Sequence, residues 1–249
     1  MNGPALSRRK HRVAVVSGGT SGIGRAFVVE LLSRGYRLYT CGRNEDRLRQ
    51  MEAEHPDLCV VACDLTDRAQ VARLAALVGA SQQGVDLLVA NAGGSREIDL
   101  RRLDACADPL LDMHQNFDTT VHLIAEFLPL LRSASPSRII LLGSGYGLVG
   151  SSRVPLYSAS KAAIHSLAST LRTSLSPERI GVTEVCPPVV DTPSVATRKV
   201  AKMRPEAVVR AALEGAARDK ATVYPGKARF LPYLVRLAPS LAQRIVSRS

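Results

Sequence analysis

Short runs of β-branched and other apolar residues alternate along the chain with longer segments in which apolar residues recur every three or four positions. The short runs predict strands at residues 13–17, 37–41, 58–63, 86–90, 138–142, 180–186 and 222–224, and the longer segments predict helices near 22–34, 44–54, 67–79, 109–131, 157–175 and 205–217. Strands that alternate with helices are typical of βαβ units, whose crossovers are right-handed. The pattern therefore predicts an α/β fold, a single doubly wound Rossmann-like domain with a seven-stranded, mainly parallel sheet.

The composition fits one such domain in a reducing compartment. Hydrophobic residues make up 46% of the 249 residues, and no repeat or low-complexity linker divides the chain. We expect a basic tail at residues 1–11, then one domain at 12–249 that includes a C-terminal substrate loop and helices. Five scattered cysteines without zinc-site spacing predict no metal site. Together with the absence of an apolar leader, they indicate a cytoplasmic protein.

Positive charge is concentrated toward the C-terminus. The formal net charge is +11, and residues 196–249 contain 12 Lys or Arg and 3 Asp or Glu. No nucleic-acid motif is visible, and aromatic residues do not interleave with the basic ones. We therefore interpret this charge as a solvated surface and expect no nucleic-acid partner.

The segment at 228–246 combines this charge with an apolar pattern. Arginines separate its large apolar residues, and Pro232 and Pro239 are expected to limit regular helix. A basic amphipathic segment of this kind suits a membrane surface, but we expect it to pack onto the protein's own core or onto a partner subunit. Its apolar residues, spaced by three or four, are Phe230, Leu234, Leu237, Leu241 and Ile245.

A glycine-rich turn follows the first predicted strand and precedes a helix. Glycines allow a tight turn and let backbone N–H groups approach a diphosphate, and the helix N-terminus adds a favourable dipole. Because the turn stands directly after the first strand, it predicts dinucleotide binding. The residues expected to contact the dinucleotide are Gly18, Thr20, Ser21, Gly22, Ile23 and Gly24.

The ends of the next strands indicate which dinucleotide is bound. The second strand ends without the acidic residue that an NAD site usually places there, and Arg43 follows it. A guanidinium suits a 2′-phosphate, so NADP(H) is favoured over the alternative of a solvent-facing arginine. Asp64, with Leu65, is expected at the adenine, and its alternative role is a helix cap. Small residues that would let a cofactor lie close, or that simply form a turn, are Asn91, Ala92 and Gly93.

Three polar residues near the fifth strand carry the candidate chemistry. Ser144 follows that strand, Tyr157 comes thirteen residues later, and Lys161 four residues after Tyr157. Positions i and i+4 share a helix face, and an ammonium group beside a phenol lowers the pKa of the phenol. Such a tyrosine can exchange a proton with a substrate alcohol or carbonyl near neutral pH, while the Ser144 hydroxyl holds the same oxygen. Tyr and Lys at this spacing are common on helix surfaces. The prediction therefore depends on the order of this pair among the other motifs and not on the spacing alone.

Taken together, these motifs resemble the short-chain dehydrogenase/reductase family over residues 12 to roughly 225. The turn at 17–24 is similar to the family's glycine-rich turn, with Ser17 where Thr is usual, and 91–93 match its Asn-Ala-Gly motif. The resemblance implies that Asn116 holds both a helix kink and a water that links Lys161 to a proton relay. It also implies that helices near 109–131 and 157–175 pair subunits into a homodimer or homotetramer. The residues that match the catalytic tetrad are Asn116, Ser144, Tyr157 and Lys161.

The segment after the sixth strand departs from the family pattern. Pro188 replaces a Gly, and because proline has no N–H, a cofactor contact through that donor is impossible. Val190 and Thr192 keep their donors, so the resemblance still implies that Pro187, Val190 and Thr192 lie at the nicotinamide. Residues 96–99, 116–117 with 121–123, and 187–192 resemble the DltE-like branch of the family. The Pro-Pro run with the Asp-Thr that follows it also resembles 3-ketodihydrosphingosine reductases.

The expected function is that of an NADP(H)-dependent oxidoreductase that interconverts a carbonyl and a secondary alcohol of a small molecule, with Tyr157 as general acid or base. Two alternatives stay open: a protein that senses NADP(H) without turnover, and a membrane-associated lipid ketoreductase. We expect the loop at 191–204 to close over the substrate. Its basic residues, which indicate either an anionic substrate or a solvated loop, are Arg198, Lys199 and Lys202. His114 and His165 are interpreted as packing or interface residues.

Overall fold

The computed structural model describes residues 11–197 and 200–247 and places seven strands in one sheet. The strands are β1 (Val13–Ser17), β2 (Arg37–Gly42), β3 (Leu58–Ala62), β4 (Leu87–Ala90), β5 (Ser137–Leu142), β6 (Ile180–Val185) and β7 (Thr222–Val223). Their order is β3-β2-β1-β4-β5-β6-β7, and all neighbours pair in parallel, which confirms the predicted fold class. Residues 1–10 of the predicted tail lie outside the described residues, and so do Arg198 and Lys199.

Helices connect the strands on both sides of the sheet. They are α1 (Gly22–Ser33), α2 (Glu45–Glu54), α3 (Arg68–Ser81), α4 (Leu111–Met113), α5 (Thr119–Ser133), α6 (Pro155–Leu175), α7 (Pro205–Ala217), α8 (Leu231–Leu237) and α9 (Pro239–Ser247). Side chains fix where two of them begin. Asn44 Oδ1 accepts a hydrogen bond from the backbone N–H of Arg47, and Asp67 Oδ1 accepts one from that of Ala69, both at 2.9 Å. The cap of α3 is therefore Asp67, which leaves the side chain of Asp64 beside the sheet edge.

Both faces of the sheet are buried beneath helices. On β1, Val13 and Val15 join the core under α3, α5 and α6, whereas Ala14 and Val16 join the core under α1, α2 and α7. Successive side chains of a strand point to opposite faces, so a strand covered on both faces has to be apolar throughout. All residues of β1 are buried, which explains why the strands read as continuous apolar runs in the sequence.

The helix predicted at 109–131 is interrupted, which corrects the sequence expectation. After α4 comes a π turn at His114–Asp118, and α5 then continues to Ser133. The Asn116 side chain explains the interruption, because its Nδ2 donates to the carbonyl oxygens of Asp112 at 2.7 Å and Gly94 at 2.8 Å. The Asp112 carbonyl is the one that a regular α-helix would pair with the backbone N–H of Asn116. A kink at Asn116 is thus present, as the family resemblance implied.

Prolines begin the C-terminal helices rather than limiting them, a second correction. Pro232 lies in the first turn of α8, and Pro239 is the first residue of α9. Proline is well tolerated there because the first N–H groups of a helix have no helical acceptor. Ala242 and Val246 of α9 are buried against Val149. The expectation that this segment packs onto the protein itself therefore holds for one face of these helices.

The order of the strands creates a crevice at one edge of the sheet. The chain proceeds from β1 outward to β3 and then returns to β4 on the other side of β1. The loops after β1 and β4 consequently diverge at the carboxyl edge, where ligands bind in doubly wound sheets. The described segments include no helix with both the length and the apolar character needed to cross a bilayer.

Candidate active site

A cleft of about 820 Å³ opens along the carboxyl edge of the sheet and extends toward α8 and α9. Its volume is within the range of small-molecule and cofactor sites. The cleft brings together all but one of the residues predicted for the site. Those that line it are Gly18, Thr20, Ser21, Gly22, Ile23, Arg43, Asp64, Leu65, Asn91, Ala92, Gly93, Asn116, Ser144, Tyr157, Lys161, Pro187, Val190 and Thr192.

The exception is Gly24, which is buried beneath the turn and does not line the cleft. A Cβ at this position would lie 2.1 Å from the carbonyl oxygen of Gly18 and 2.5 Å from Asn91 Nδ2. Gly24 is thus required for close packing inside the turn, and its role as a direct cofactor contact stays a prediction. Gly18 and Gly22 have φ values of +67° and +53°, a region that favours glycine.

The hydroxyl of Ser17 joins the glycine-rich turn to the end of β4. It accepts hydrogen bonds from the backbone N–H groups of Asn91 and Ala92, both at 2.9 Å. Asn91 Nδ2 completes the link by donating to the Ser17 carbonyl at 2.8 Å. These bonds need only a hydroxyl group, which Ser and Thr both have, so Ser17 can take the place of the more usual Thr.

The N-terminus of α1 faces the cleft with its backbone donors uncapped. Ser21 occupies the N-cap position without a side-chain cap bond, and the first turn contains no acidic residue. A helix N-terminus of this kind attracts an anion through its N–H groups and its dipole. The methyl group of Thr192 lies close above Gly22, where an added Cβ would be 2.9 Å from it. The turn and the loop after β6 therefore form the two walls of a narrow cradle.

Two arginines line the far end of the cleft after β2. Arg43 comes directly after the strand, and Arg47 lies one helical turn further along. The acidic residues of this helix start, Glu45 and Asp46, are instead held by Arg49 at 3.3 and 2.6 Å. The sequence prediction named Arg43 and missed Arg47, although the spacing of four residues on a helix would have indicated it. Both arginines thus line this end of the cleft.

Ser144, Tyr157 and Lys161 all line the cleft. Lys161 Nζ lies 5.5 Å from the centroid of the Tyr157 ring and donates a 2.7 Å hydrogen bond to the carbonyl oxygen of Leu142. Tyr146 stands edge-on to Tyr157, with ring centroids 6.3 Å apart. Because Lys161 is buried, the pKa of its ammonium group falls to about 8. The ammonium group of Lys161 is thus a neighbour of the Tyr157 ring, and Ser144 lines the same cleft.

Asn116 reaches the cleft through the π turn. Its Oδ1 is buried and has no hydrogen-bond partner among the described residues. Gly93 permits this position, since an added Cβ there would be 2.3 Å from that oxygen. A buried carbonyl oxygen without a partner is costly, and ordered water is its usual partner in proteins.

The loop after β6 keeps the backbone donor that the sequence analysis needed. In the bridge between Val190 and Met203, the backbone N–H of Met203 donates to the carbonyl of Val189 and the N–H of Asp191 donates to the carbonyl of Met203, each at 2.8 Å. The N–H of Val190 takes no part in these two bonds.

Lys202, one of the basic loop residues, donates to the carbonyl of Ala196 at 3.1 Å. Lys202 therefore holds the loop together.

The two histidines occupy different environments. His114 Nδ1 contacts Asp118 Oδ2 at 2.7 Å on the surface, in line with a packing role. His165 Nδ1 lies 2.6 Å from Oε2 of Glu184, a carboxylate that is almost completely buried. The sequence analysis missed Glu184, because one acidic residue in a strand gives no sign of which side chain meets it.

The remaining wall of the cleft is apolar and comes mainly from the C-terminal segment. Leu231 covers Gly145, where an added Cβ would be 2.8 Å from its Cδ2. Of the apolar residues singled out in the sequence, Phe230, Leu234 and Ile245 line the cleft, but Leu237 and Leu241 do not. The wall therefore lies next to Ser144 and consists of Tyr146, Phe230, Leu231, Leu234, Ile245 and Val246.

Comparisons with known proteins show the family to which this chain belongs. A family model described as short chain dehydrogenase matches residues 12–202. The "Uncharacterized oxidoreductase DltE" of Bacillus subtilis (strain 168) is 33% identical over 185 residues, which cover 73% of each chain. A short chain dehydrogenase from Burkholderia cenocepacia J2315, solved in complex with NADP, has a TM-score of 0.83 and 27% identity, covering 95% of this chain and 97% of that one.

A second solved structure, a short chain dehydrogenase/reductase from Burkholderia phymatum in complex with NAD, has a TM-score of 0.82 and 25% identity, covering 92% of this chain and 93% of that one. The two solved relatives hold different nicotinamide cofactors, so the family relationship leaves the choice between them to this chain's own residues. On the family match and the similarity to DltE, the chain belongs to the short-chain dehydrogenase family of oxidoreductases, close to its DltE-like branch.

Proposed function

We propose that this chain is an NADP(H)-dependent oxidoreductase that interconverts a carbonyl and a secondary alcohol. The observation that carries the proposal is the convergence of Ser144, Tyr157 and Lys161 in the same cleft as the glycine-rich turn. A dinucleotide fits the residues present. Gly18 and Gly22, both with positive φ, form a tight turn, and the uncapped N-terminus of α1 beside it provides a cradle for a diphosphate. Arg43 and Arg47 suit a 2′-phosphate at the far end.

Each polar residue at the centre has a distinct part in the proposed reaction. When bound, the nicotinamide supplies the hydride that reduces the carbonyl carbon. The Tyr157 hydroxyl donates its proton to the carbonyl oxygen, which Ser144 holds by donating a hydrogen bond. The Lys161 ammonium stabilises the phenolate that Tyr157 then becomes. Alcohol oxidation uses the same groups in reverse, with the phenolate as the base.

The wall beside Ser144 favours a substrate with an apolar body. The side chains there are aliphatic or aromatic and come mainly from α8 and α9. Each methylene group that moves from water onto such a wall stabilises the complex by about 0.8 kcal/mol. The expectation of an anionic substrate loses part of its support, because Lys202 is engaged within its own loop.

A ketone panel with NADPH consumption as the readout tests this proposal. Lengthening the alkyl chain of a ketone by two methylenes should raise kcat/KM about tenfold, because about 0.8 kcal/mol per group becomes available in the bound state. Leu234→Ser, in the wall, should flatten this dependence. Leu237→Ser, three residues away on α8 and 80% exposed, should leave it intact. Tight NADPH binding without turnover of any ketone would instead identify a cofactor sensor.

A second candidate, a lipid ketoreductase that works at a membrane surface, is favoured by the outer face of the same helices. Large apolar side chains there remain exposed, with Tyr233 at 68% and Leu237 at 80%. Arg229, Arg236 and Arg244 lie among them, and residues 220–249 contain no Asp or Glu. Apolar side chains flanked by arginines suit the interface of an anionic bilayer.

Vesicle binding separates this candidate from a purely soluble role. The wild-type chain should co-sediment with vesicles that contain anionic lipid, and the double variant Tyr233→Ser, Leu237→Ser should bind at least about tenfold more weakly, since each change removes about 1.5–3 kcal/mol of apolar burial. Leu77→Ser, an exposed leucine on α3, is the control and should bind as the wild type does. Equal binding by all three chains contradicts the candidate. A dimer that dissociates in the double variant would assign this face to a second copy.

A further inference from the structure

A buried carboxylate lies within the protein beside the proposed catalytic centre without lining the cleft. Glu184 is in β6, in register with Leu141 of β5 and Thr222 of β7, and is only 1% exposed. Residues at the centre of a sheet covered by helices are normally apolar. Burial of an ion costs several kcal/mol unless a partner compensates for it. Neither the fold nor the proposed proton transfer, as stated above, accounts for an acidic residue here.

The contacts of Glu184 hold its charge close to the reaction centre. Its Oε2 lies 2.6 Å from Nδ1 of His165, whereas its Oε1 is buried without a hydrogen-bond partner among the described residues. An added Cβ at Gly143 would be 2.3 Å from that Oε1 and 3.0 Å from the Cys186 sulfur. Gly143 directly precedes Ser144. The carboxylate therefore lies against the backbone at the base of the proposed site, and only its His165 partner reaches solvent.

Lys161 lies beside the same strand end. It is one helical turn before His165 on α6, and its Nζ donates to the carbonyl of Leu142, the residue before Gly143. Burial lowers the pKa of Lys161 to about 8, while Cys186 and Glu184 act in the opposite direction. Burial also raises the pKa of the Cys186 thiol, so this group is uncharged near neutral pH. Of these two neighbours, Glu184 is therefore the one that favours the ammonium form of Lys161.

The other ionisable groups around this cluster do not replace Glu184 in that role. The pKa of Tyr224, just beyond β7, is raised by burial to about 12, so its phenol is neutral. Asp112 on α4 is paired with Arg96 at 3.2 Å. These ionisable groups lie on α6, on or just beyond β6, just beyond β7 and on α4, and they are Tyr157, Lys161, His165, Glu184, Cys186, Tyr224 and Asp112.

We propose that Glu184, oriented by His165, is a positioning residue that keeps Lys161 in its ammonium form beside Tyr157. The proposal rests on the proposed function, since it concerns the proton that Tyr157 transfers. Carbonyl reduction needs Lys161 and Tyr157 both protonated. An anion beside this pair makes loss of the first proton harder, whichever of the two groups loses it. Glu184 thereby extends carbonyl reduction to higher pH.

Glu184→Gln tests this, because it removes the charge and keeps the shape. The alkaline limb of kcat/KM for ketone reduction should move to lower pH by about one unit, with activity below that limb close to the wild-type value. Glu184→Asp keeps the charge and should return the limb toward its original position. Glu178→Gln, the same change at a surface carboxylate paired with Arg132, should not move it.

The outcomes separate this proposal from the function on which it rests. A wild-type chain that reduces no ketone contradicts the proposed function. An active wild-type chain whose limb stays in place in Glu184→Gln contradicts only the role of Glu184, and so does an equal loss of activity at every pH. Should the variant not fold, carbon-13 NMR of the wild-type glutamate side chains provides a second test. The Glu184 carboxyl should be ionised across neutral pH, and a protonated one would overturn the proposal.

Discussion

Replacing Tyr157 by Phe should lower kcat for ketone reduction by about 10³-fold or more while NADPH affinity changes by less than about threefold. General acid catalysis by a positioned side chain contributes about 10²–10⁴-fold, and the substitution removes the proton but keeps the ring beside Lys161. Fluorescence titration of NADPH and steady-state kinetics with one ketone measure the two quantities separately. A thermal melt establishes that the variant is folded.

The second tyrosine of the cleft supplies the matched control. Tyr146 also lines the cleft, and its ring stands edge-on to Tyr157 at 81°. Tyr146→Phe should reduce kcat by less than about tenfold, because Lys161 is placed beside Tyr157. A larger loss in Tyr146→Phe than in Tyr157→Phe would transfer the role of acid to Tyr146. Substantial turnover by Tyr157→Phe would remove tyrosine from the proton step altogether.

The parts of the site that the sequence predicts are those set by one element at a time. A strand followed by a glycine-rich turn fixes where Gly18 and Gly22 lie, and a helical spacing of four fixes Tyr157 relative to Lys161. In a parallel sheet, the ends of all strands meet at one edge, so motifs that follow different strands gather there. Ser144 and Arg43 could therefore be placed in one cleft before any contact was known.

The parts that no local sequence pattern indicates depend on pairs of elements. Asn116 bends its helix because its amide reaches both Asp112, four residues earlier, and Gly94, which comes from the loop after β4. The partner of Glu184 is 19 residues away on another element. Neither contact produces a periodic pattern in the sequence from which it could be predicted. In the C-terminal segment the apolar pattern was visible, but it could not tell which side chains face the cleft and which face solvent.

The choice of cofactor gives the second large expected effect. Arg43→Ala should weaken NADPH binding about 10- to 100-fold, because hydrogen bonds to a charged group contribute about 1.5–3 kcal/mol. NADH has no 2′-phosphate, so its affinity should change by less than about threefold. Both dissociation constants can be measured by fluorescence titration at one fixed salt concentration, since exposed charges are screened by salt.

Two further arginines on α2 make this test specific to position. Arg47 lines the same end of the cleft, so Arg47→Ala should also weaken NADPH selectively. Arg49 carries an equal charge on the same helix but is held by Glu45 and Asp46, and Arg49→Ala should leave both affinities unchanged. Equal weakening of NADPH and NADH in Arg43→Ala would show that this residue supports the fold of the turn and not a phosphate. A wild-type chain that binds NADH as tightly as NADPH would overturn the cofactor assignment, because two guanidinium groups facing a 2′-phosphate have to favour the phosphorylated form.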